Sequence, residues 1–243
     1  MTELNPLGHA SPDRYVKGAW PKALLDRMAY WANRMHLHGK LLDLGCGEGA
    51  LLQQVNGDAF GADLNLDRLV LSAEKNLPVT LADGCLLPFV DETFDMVISM
   101  EVLEHVPDMA VMMREVQRVL KPGGHWIVSV PSVTLRSWYE MKKEQRPYYC
   151  DEHEHFREFT AVNVDWFEHK FMRIDAFEEM FSRQGFSLCH RDGVRYLFPQ
   201  WFSRFSLLQG WLESPQRDGF WAVIPWVRKF PYWTVLIFRR EAS

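Results

Sequence analysis

Residues 40–49, Lys40-Leu41-Leu42-Asp43-Leu44-Gly45-Cys46-Gly47-Glu48-Gly49, decide the fold. The apolar run Leu41 to Leu44 stops at three alternate glycines, and Leu51, Leu52 and Val55 beyond them predict a helix. A strand, a glycine turn and a helix in that order lay a small ligand against bare backbone, because glycine has no Cβ to hold it off. The segment demands a cofactor.

Outward from this segment, strand and helix patterns alternate. Residues 22–37 place Leu24, Met28 and Trp31 on one side of a helix. A strand at Ala59 to Ala62 ends at Asp63, a helix from Leu66 carries Leu69, Val70 and Ala73, and Val79 to Leu81 is a strand closed by Asp83-Gly84. Phe94 to Met100 reads as a fully buried strand. Asp108 is placed to cap a helix whose apolar positions are Met109, Met112, Met113, Val116, Val119 and Leu120. Lys121-Pro122-Gly123-Gly124 ends that helix, and Trp126 to Val130 follows as the fifth strand. Past Pro131 the pattern loosens. A helix after Thr160, another over Ile174 to Gln184, and strands at Ser187 to His190 and Thr234 to Arg240 complete the reading, with an aromatic insertion at 193–230. Such alternation predicts a parallel sheet covered by helices on both faces.

The 243 residues suffice for one α/β domain with some elaboration, and 47% apolar with 24% charged residues is ordinary globular composition. The net charge of -5, with no Lys/Arg stripe interleaved with aromatics, argues against nucleic acid as a partner. Cys46, Cys85, Cys150 and Cys189 lie far apart and suit a reducing compartment. The start, MTELNPLGHASPDRY, shows no basic region followed by an apolar run, and no 18 apolar residues follow one another. A cytoplasmic protein is expected. Half of the ten tryptophans, Trp201, Trp211, Trp221, Trp226 and Trp233, lie after residue 200, which marks that end as a special surface or a special core.

The glycines alone leave the cofactor open, since Gly45-x-Gly47-x-x-Ala50 also satisfies the dinucleotide fingerprint, with Asp63 near the distance of a ribose-binding acid. Charge discriminates. A pyrophosphate at a helix N-terminus suffers from nearby anions, and Asp43 and Glu48 put carboxylates on both sides of the turn. They suit S-adenosylmethionine, which carries a sulfonium and an ammonium and no phosphate. Asp63 can accept bonds from ribose hydroxyls, and Asp83, after the third strand, can take an adenine amino group.

Five segments occur in a familiar order: LLDLGCGEG at 41–49, GADLN at 61–65, ADGCLLPF at 82–89, FDMVISMEVLEHVPD at 94–108 and LKPGG at 120–124. In these the chain resembles the class I S-adenosylmethionine-dependent methyltransferases, within them the methyltransferase type 11 or ubiquinone/menaquinone-type group. The resemblance covers about Lys40 to Val130 and thins afterwards to HEHFREFT at 153–160. It implies a Rossmann-like, seven-stranded, mostly parallel sheet with the aromatic insertion added near the C-terminus. Its parts would be an N-terminal cap and first helix at 1–39, a cofactor-binding core at 40–131, and a substrate-side elaboration that completes the sheet at 132–243. It further implies that Asp43, Gly45, Cys46 and Gly47 serve the methionine portion of S-adenosylmethionine. Asp63 with Leu64 beside it would serve the ribose, Asp83 and Gly84 the adenine, and Met100, Glu101 and Val102 the exposed side of the donor. Arg14 and Tyr15 resemble a region that closes over the cofactor.

Methyl transfer from a sulfonium is an in-line displacement, so orientation is the protein's main task, and a histidine base helps when the acceptor is a hydroxyl. His105 is the first candidate, with His153 and His155 next; His105 packing beside the Asp108 helix is the structural alternative. Asp151 to His155 lacks the i, i+4 histidine pair of a helical metal site, so no metal is expected. Trp201, Phe205, Leu208 and Leu212 make one face of a helix, read as a lid over an apolar acceptor, as peripheral membrane contact through 199–230, or as extra core. The expected function is transfer of a methyl group to a small-molecule or lipid-like acceptor, foremost at oxygen, with nitrogen and carbon open. A non-catalytic S-adenosylmethionine-binding scaffold and an NAD-dependent oxidoreductase are the alternatives, and the sequence does not speak to oligomeric state.

Overall fold

A computed structural model describes residues 19–35, 39–106, 108–132, 174–196, 218–224, 226–227 and 231–242. Their elements run α1 (Ala19–Met35), β1 (Lys40–Leu44), β2 (Asp58–Asp63), α2 (Leu66–Glu74), β3 (Val79–Leu81), β4 (Phe94–Met100), a 3-10 turn (Leu103–His105), α3 (Met109–Val119), β5 (Leu120–Pro131), α4 (Ile174–Arg183), β6 (Phe186–Tyr196), α5 (Asp218–Val223) and β7 (Pro231–Arg240). The seven strands form one sheet in the order β3-β2-β1-β4-β5-β7-β6. β1 to β5 pair in parallel, while β7 runs antiparallel to both β5 and β6, so it alone is reversed. This is the Rossmann-like, mostly parallel sheet expected from the sequence.

Strand alternation divides the core into two layers. Trp126, Val128 and Val130 of β5, with Leu42 and Leu44 of β1, Leu236 and Phe238 of β7, pack with Met112, Met113 and Val116 of α3 and Phe177 and Phe181 of α4. The intervening residues, Leu41, Ile127, Val235 and Ile237, form the opposite core with Leu24, Leu25, Met28, Ala29 and Ala32 of α1. Helix α3 begins where the sequence places it, because the Asp108 carboxylate accepts the Val111 N–H at 3.0 Å. An Asp192 carboxylate oxygen of β6 ties down α1, accepting from Arg27 Nη1 at 2.6 Å and Trp31 Nε1 at 2.7 Å.

Three expectations need correction. The segment after Gly49 is a run of turns and not a regular helix, although Gln53 N–H reaches Gly49 O and Val55 N–H reaches Leu51 O. Gly49 at φ 74° and Gly57 at φ 92° bracket a stretch too short to nucleate a helix, yet Leu51 and Leu52 are buried all the same. Strand β5 starts already at Leu120: Phe94 pairs with Leu120 and Met96 with His125, so Lys121 to Gly124 forms a bulge in the strand rather than a loop before it. Strand β6 extends to Tyr196, so its own pairing with β7 occupies the first residues assigned to the aromatic insertion. The helices expected after Thr160 and at 201–212 lie outside the described residues.

Candidate functional site

In the order β3-β2-β1-β4-β5 the chain leaves β1 toward β2 and later returns to β4 on the other side, which opens a crevice at the carboxyl ends of β1 and β4. The glycine turn lies at this switch point and is held in shape from several directions. Gly45 and Cys46 donate their N–H groups to Ala62 O at 2.7 and 3.1 Å. Asp63 accepts the Gly47 N–H at 2.8 Å through one oxygen and the Asn65 N–H at 2.8 Å through the other. Ser72 Oγ donates to Gly47 O at 2.9 Å and Lys75 Nζ to Glu48 O at 2.8 Å. The turn is thereby bound to β2 and α2.

Gly45 has φ 82°, and a Cβ built on it would lie 2.3 Å from Val102 Cγ2. That contact joins the β1 turn to the segment after β4, with no space for a side chain between them. Beneath the turn, Asp43 is 2% exposed and its Oδ2 has no hydrogen-bond partner. Burial, and secondarily the Asp63 carboxylate, push the Asp43 carboxyl up to about 8. The same burial raises the Cys46 thiol, and Cys85 is raised too, mainly by burial and by Asp83. Neither thiol is an activated nucleophile.

Past β3, Asp83 Oδ1 accepts the Cys85 N–H at 2.8 Å, and Gly84 faces Met112 of α3. Arg118 fixes this loop. It donates to Phe89 O at 2.7 Å, Leu87 O at 2.9 Å and Asp91 Oδ1 at 2.8 Å while held by Glu115, which also accepts the Leu87 N–H. Arg118→Ala is expected to lower stability by about 1–3 kcal/mol, since charge-assisted bonds to two carbonyls are lost. Urea unfolding midpoints check it; an unchanged midpoint would show that the loop holds itself.

After β4, Glu101 has φ 55°, a conformation in which a non-glycine residue is strained. Ser129 stabilises it, taking the Glu101 N–H on its Oγ at 3.1 Å and donating to Glu101 Oε1 at 2.8 Å. Burial raises the Glu101 carboxyl above the usual carboxylate range, against its bond to Ser129. Glu104 is buried, whereas His105 is half-exposed, with Nε2 3.9 Å from Glu104 Oε1.

The structure thus brings Asp43, Gly45, Cys46, Gly47 and Asp63 together with Met100, Glu101, Val102 and His105 at one sheet edge, with Leu64 exposed beside Asp63. Arg14, Tyr15, His153, His155, Trp201 and Phe205 lie outside the described residues. Sequence reading missed Glu104, Ser129 and Arg118. Glu104 had a signal, an acid directly after the apolar pair Val102-Leu103; a serine in a buried strand and an arginine on a helix carried none.

A sheet of this order with a glycine turn at its switch point defines a cofactor-binding α/β protein, and comparison with known proteins narrows the class. Residues 42–128 match the family described as a methyltransferase domain. The ubiquinone biosynthesis O-methyltransferase of Proteus mirabilis is 33% identical over 110 residues, 41% of this chain and 45% of that protein. The human protein named arginine-hydroxylase NDUFAF5, mitochondrial, is 30% identical over 185 residues, 71% of this chain and 50% of that protein. A Haemonchus contortus phosphoethanolamine N-methyltransferase 2, solved with S-adenosyl-L-methionine, matches at a TM-score of 0.55 and 17% identity over 93% of this chain and 53% of that one. The chain spans about half the length of these two curated relatives. Over residues 42–128 it is thus similar to the S-adenosylmethionine-dependent methyltransferases.

Proposed function

We propose that this chain transfers a methyl group from S-adenosylmethionine to an oxygen of a small or lipid-like acceptor. The observation that carries the reading is the buried, unpartnered Asp43 oxygen under a rigid glycine turn, with Asp63 beside it. A phosphate-bearing dinucleotide would meet two acids there, whereas an ammonium and a sulfonium gain from them. S-adenosylmethionine supplies a methyl group on a positively charged sulfur, which leaves as a neutral thioether.

The chain's own residues bind and orient. Asp43 meets the ammonium, and the backbone of Gly45, Cys46 and Gly47 carries the methionine portion. Asp63 and Leu64 hold the ribose, Asp83 and Gly84 the adenine, and Met100 to Val102 face the donor's open side. Orientation of this kind is worth about 7–11 kcal/mol in well-placed systems. His105 takes the acceptor's hydroxyl proton, and the buried Glu104 stabilises the resulting imidazolium; such a base adds about 10²- to 10⁴-fold. The O-methyltransferase name of the Proteus mirabilis relative supports oxygen as the acceptor atom. Exposed Phe220, Val223 and Trp226 support an apolar acceptor or a lipid surface next to the 199–230 region.

Calorimetric titration with S-adenosylmethionine, S-adenosylhomocysteine and NADH, repeated on Asp63→Ala, tests the cofactor. Both sulfur ligands are expected to bind, and the variant to bind them at least about tenfold more weakly, the worth of one charge-assisted bond. Binding of NADH alone would overturn the reading. Radiolabel from methyl-labelled donor, followed into phenolic, lipid and sugar acceptors, then identifies the acceptor class.

A further inference from the structure

The Asp43 carboxyl is placed where a permanently ionised group would be costly. It lies on β1 between Gly61 of β2 and Ile98 of β4, neither of which offers charge or a side-chain hydrogen bond. The ionisable groups facing it are Asp63 on β2, which is itself acidic, and the Cys46 thiol in the turn, whose own proton is held more tightly by burial first and then by Asp43 and Asp63. Asp63 spends its oxygens on the Gly47 and Asn65 N–H groups, and Asp43 Oδ2 receives none. An unsatisfied buried carboxylate oxygen next to a second carboxylate is stabilised by a proton or by a cation.

Resting on the cofactor reading above, we propose that uptake of S-adenosylmethionine or S-adenosylhomocysteine exchanges a proton on Asp43 for the ligand's ammonium. In the free protein the proton satisfies the buried acid. As the ammonium arrives, the carboxyl O–H bond breaks, the proton leaves to solvent, and the carboxylate keeps the electron pair and meets the positive charge. No net charge is added to the buried site, which lets a low-dielectric pocket accept a cationic amino acid. Burial raising Asp43 to about 8 agrees with this, since the acid then holds its proton near neutral pH. The exchange fades above about pH 8, where Asp43 is already ionised and a free α-amino group itself loses its proton.

The proton count is measured by titrating the chain with S-adenosylhomocysteine at pH 6.5 in phosphate and in Tris, whose ionisation enthalpies differ widely. The expected result is release of close to one proton per ligand bound. It is also expected to vanish in Asp43→Asn and to be absent with 5′-methylthioadenosine, which lacks the amino-acid portion. Binding of S-adenosylhomocysteine with the same apparent heat in both buffers would overturn the exchange and leave the cofactor reading intact. No binding at all would overturn both. The nucleoside comparison is made on the unmodified chain, so the inference stays exposed to refutation even if Asp43→Asn fails to fold.

Discussion

Gly45→Ala is expected to abolish measurable binding of S-adenosylmethionine and to lower stability by about 2–5 kcal/mol. Two costs combine. An L-residue held in the left-handed region costs roughly 1–2 kcal/mol, and Gly45 sits at φ 82°. The new methyl would lie 2.3 Å from Val102 Cγ2, and forcing such overlap costs typically about 1–3 kcal/mol. Val102 is β-branched and stiff, and it is followed at once by buried Leu103 and Glu104, so it cannot swing aside cheaply. Relief must come from the turn, which is the surface assigned to the cofactor. The double variant Gly45→Ala/Val102→Ala removes the clash and leaves the backbone strain, and so should recover only part of the loss in urea unfolding. Gly47→Ala is the contrast: φ is 52°, but the nearest atoms to its added methyl belong to Arg68 at 3.8 Å. It should cost stability only the left-handed penalty. Equal losses at the two positions would show that strain alone, and not the contact with Val102, controls the turn.

Much of this architecture is legible in the chain because one physical rule governs each piece. Apolar alternation and the strand-glycine-helix order locate β1 to β4, and Asp108 announces α3 because a carboxylate is the natural partner of free N–H groups at a helix start. The misreadings have a common cause, competition between local signals and sheet pairing. Lys121-Pro122-Gly123-Gly124 carries every local mark of a loop, yet β4 pairs with both Leu120 and His125 and the residues between them bulge as the register shifts. Leu51, Leu52 and Val55 have helical spacing, but burial against α1, Cys46 and Leu69 is achieved by turns once glycines bracket the segment. Periodicity reports which side chains go inward, not which backbone hydrogen bonds form.

The candidate site divides the same way. Its acids are visible in sequence because each stands at a strand's carboxyl end, but their roles in the fold differ in ways that spacing does not encode. Asp63 is a structural brace for the glycine turn as well as a candidate ribose ligand. Asp43 is a buried acid with an orphaned oxygen. Glu104 is buried by a single 3-10 turn, and Ser129 reaches Glu101 from a strand 28 residues away. Contacts made across the sheet depend on strand order, and strand order is fixed by the whole fold.

Asp43→Asn is expected to remove a strong dependence of stability on pH. In the unfolded chain an aspartate ionises near pH 4; in the fold, burial raises Asp43 to about 8. Between these values the folded protein binds a proton that the unfolded chain has lost, so stability falls as pH rises, by at most about 1.4 kcal/mol per unit. Below about pH 4 both states are protonated and Asp43 exacts no penalty; above about 8 both are ionised and the slope ends. Glu101, raised by burial, adds a decline of the same sign, whereas Glu115, lowered mainly by its bond to Arg118, stabilises the fold once it is ionised. Asparagine keeps the shape and cannot ionise, so the variant lacks the Asp43 slope even if its buried amide costs about 1–3 kcal/mol at every pH. The variant should therefore gain on the natural chain by about 3–5 kcal/mol between pH 4.5 and 8, read from urea midpoints across that range. Parallel curves would mean that Asp43 is already ionised in the free fold, and the proton exchange inferred for cofactor uptake would fall with it. A rising gap would show that the fold tolerates a costly buried acid at the point where the ligand's ammonium is assigned, a trade of stability for binding that packing alone would not select.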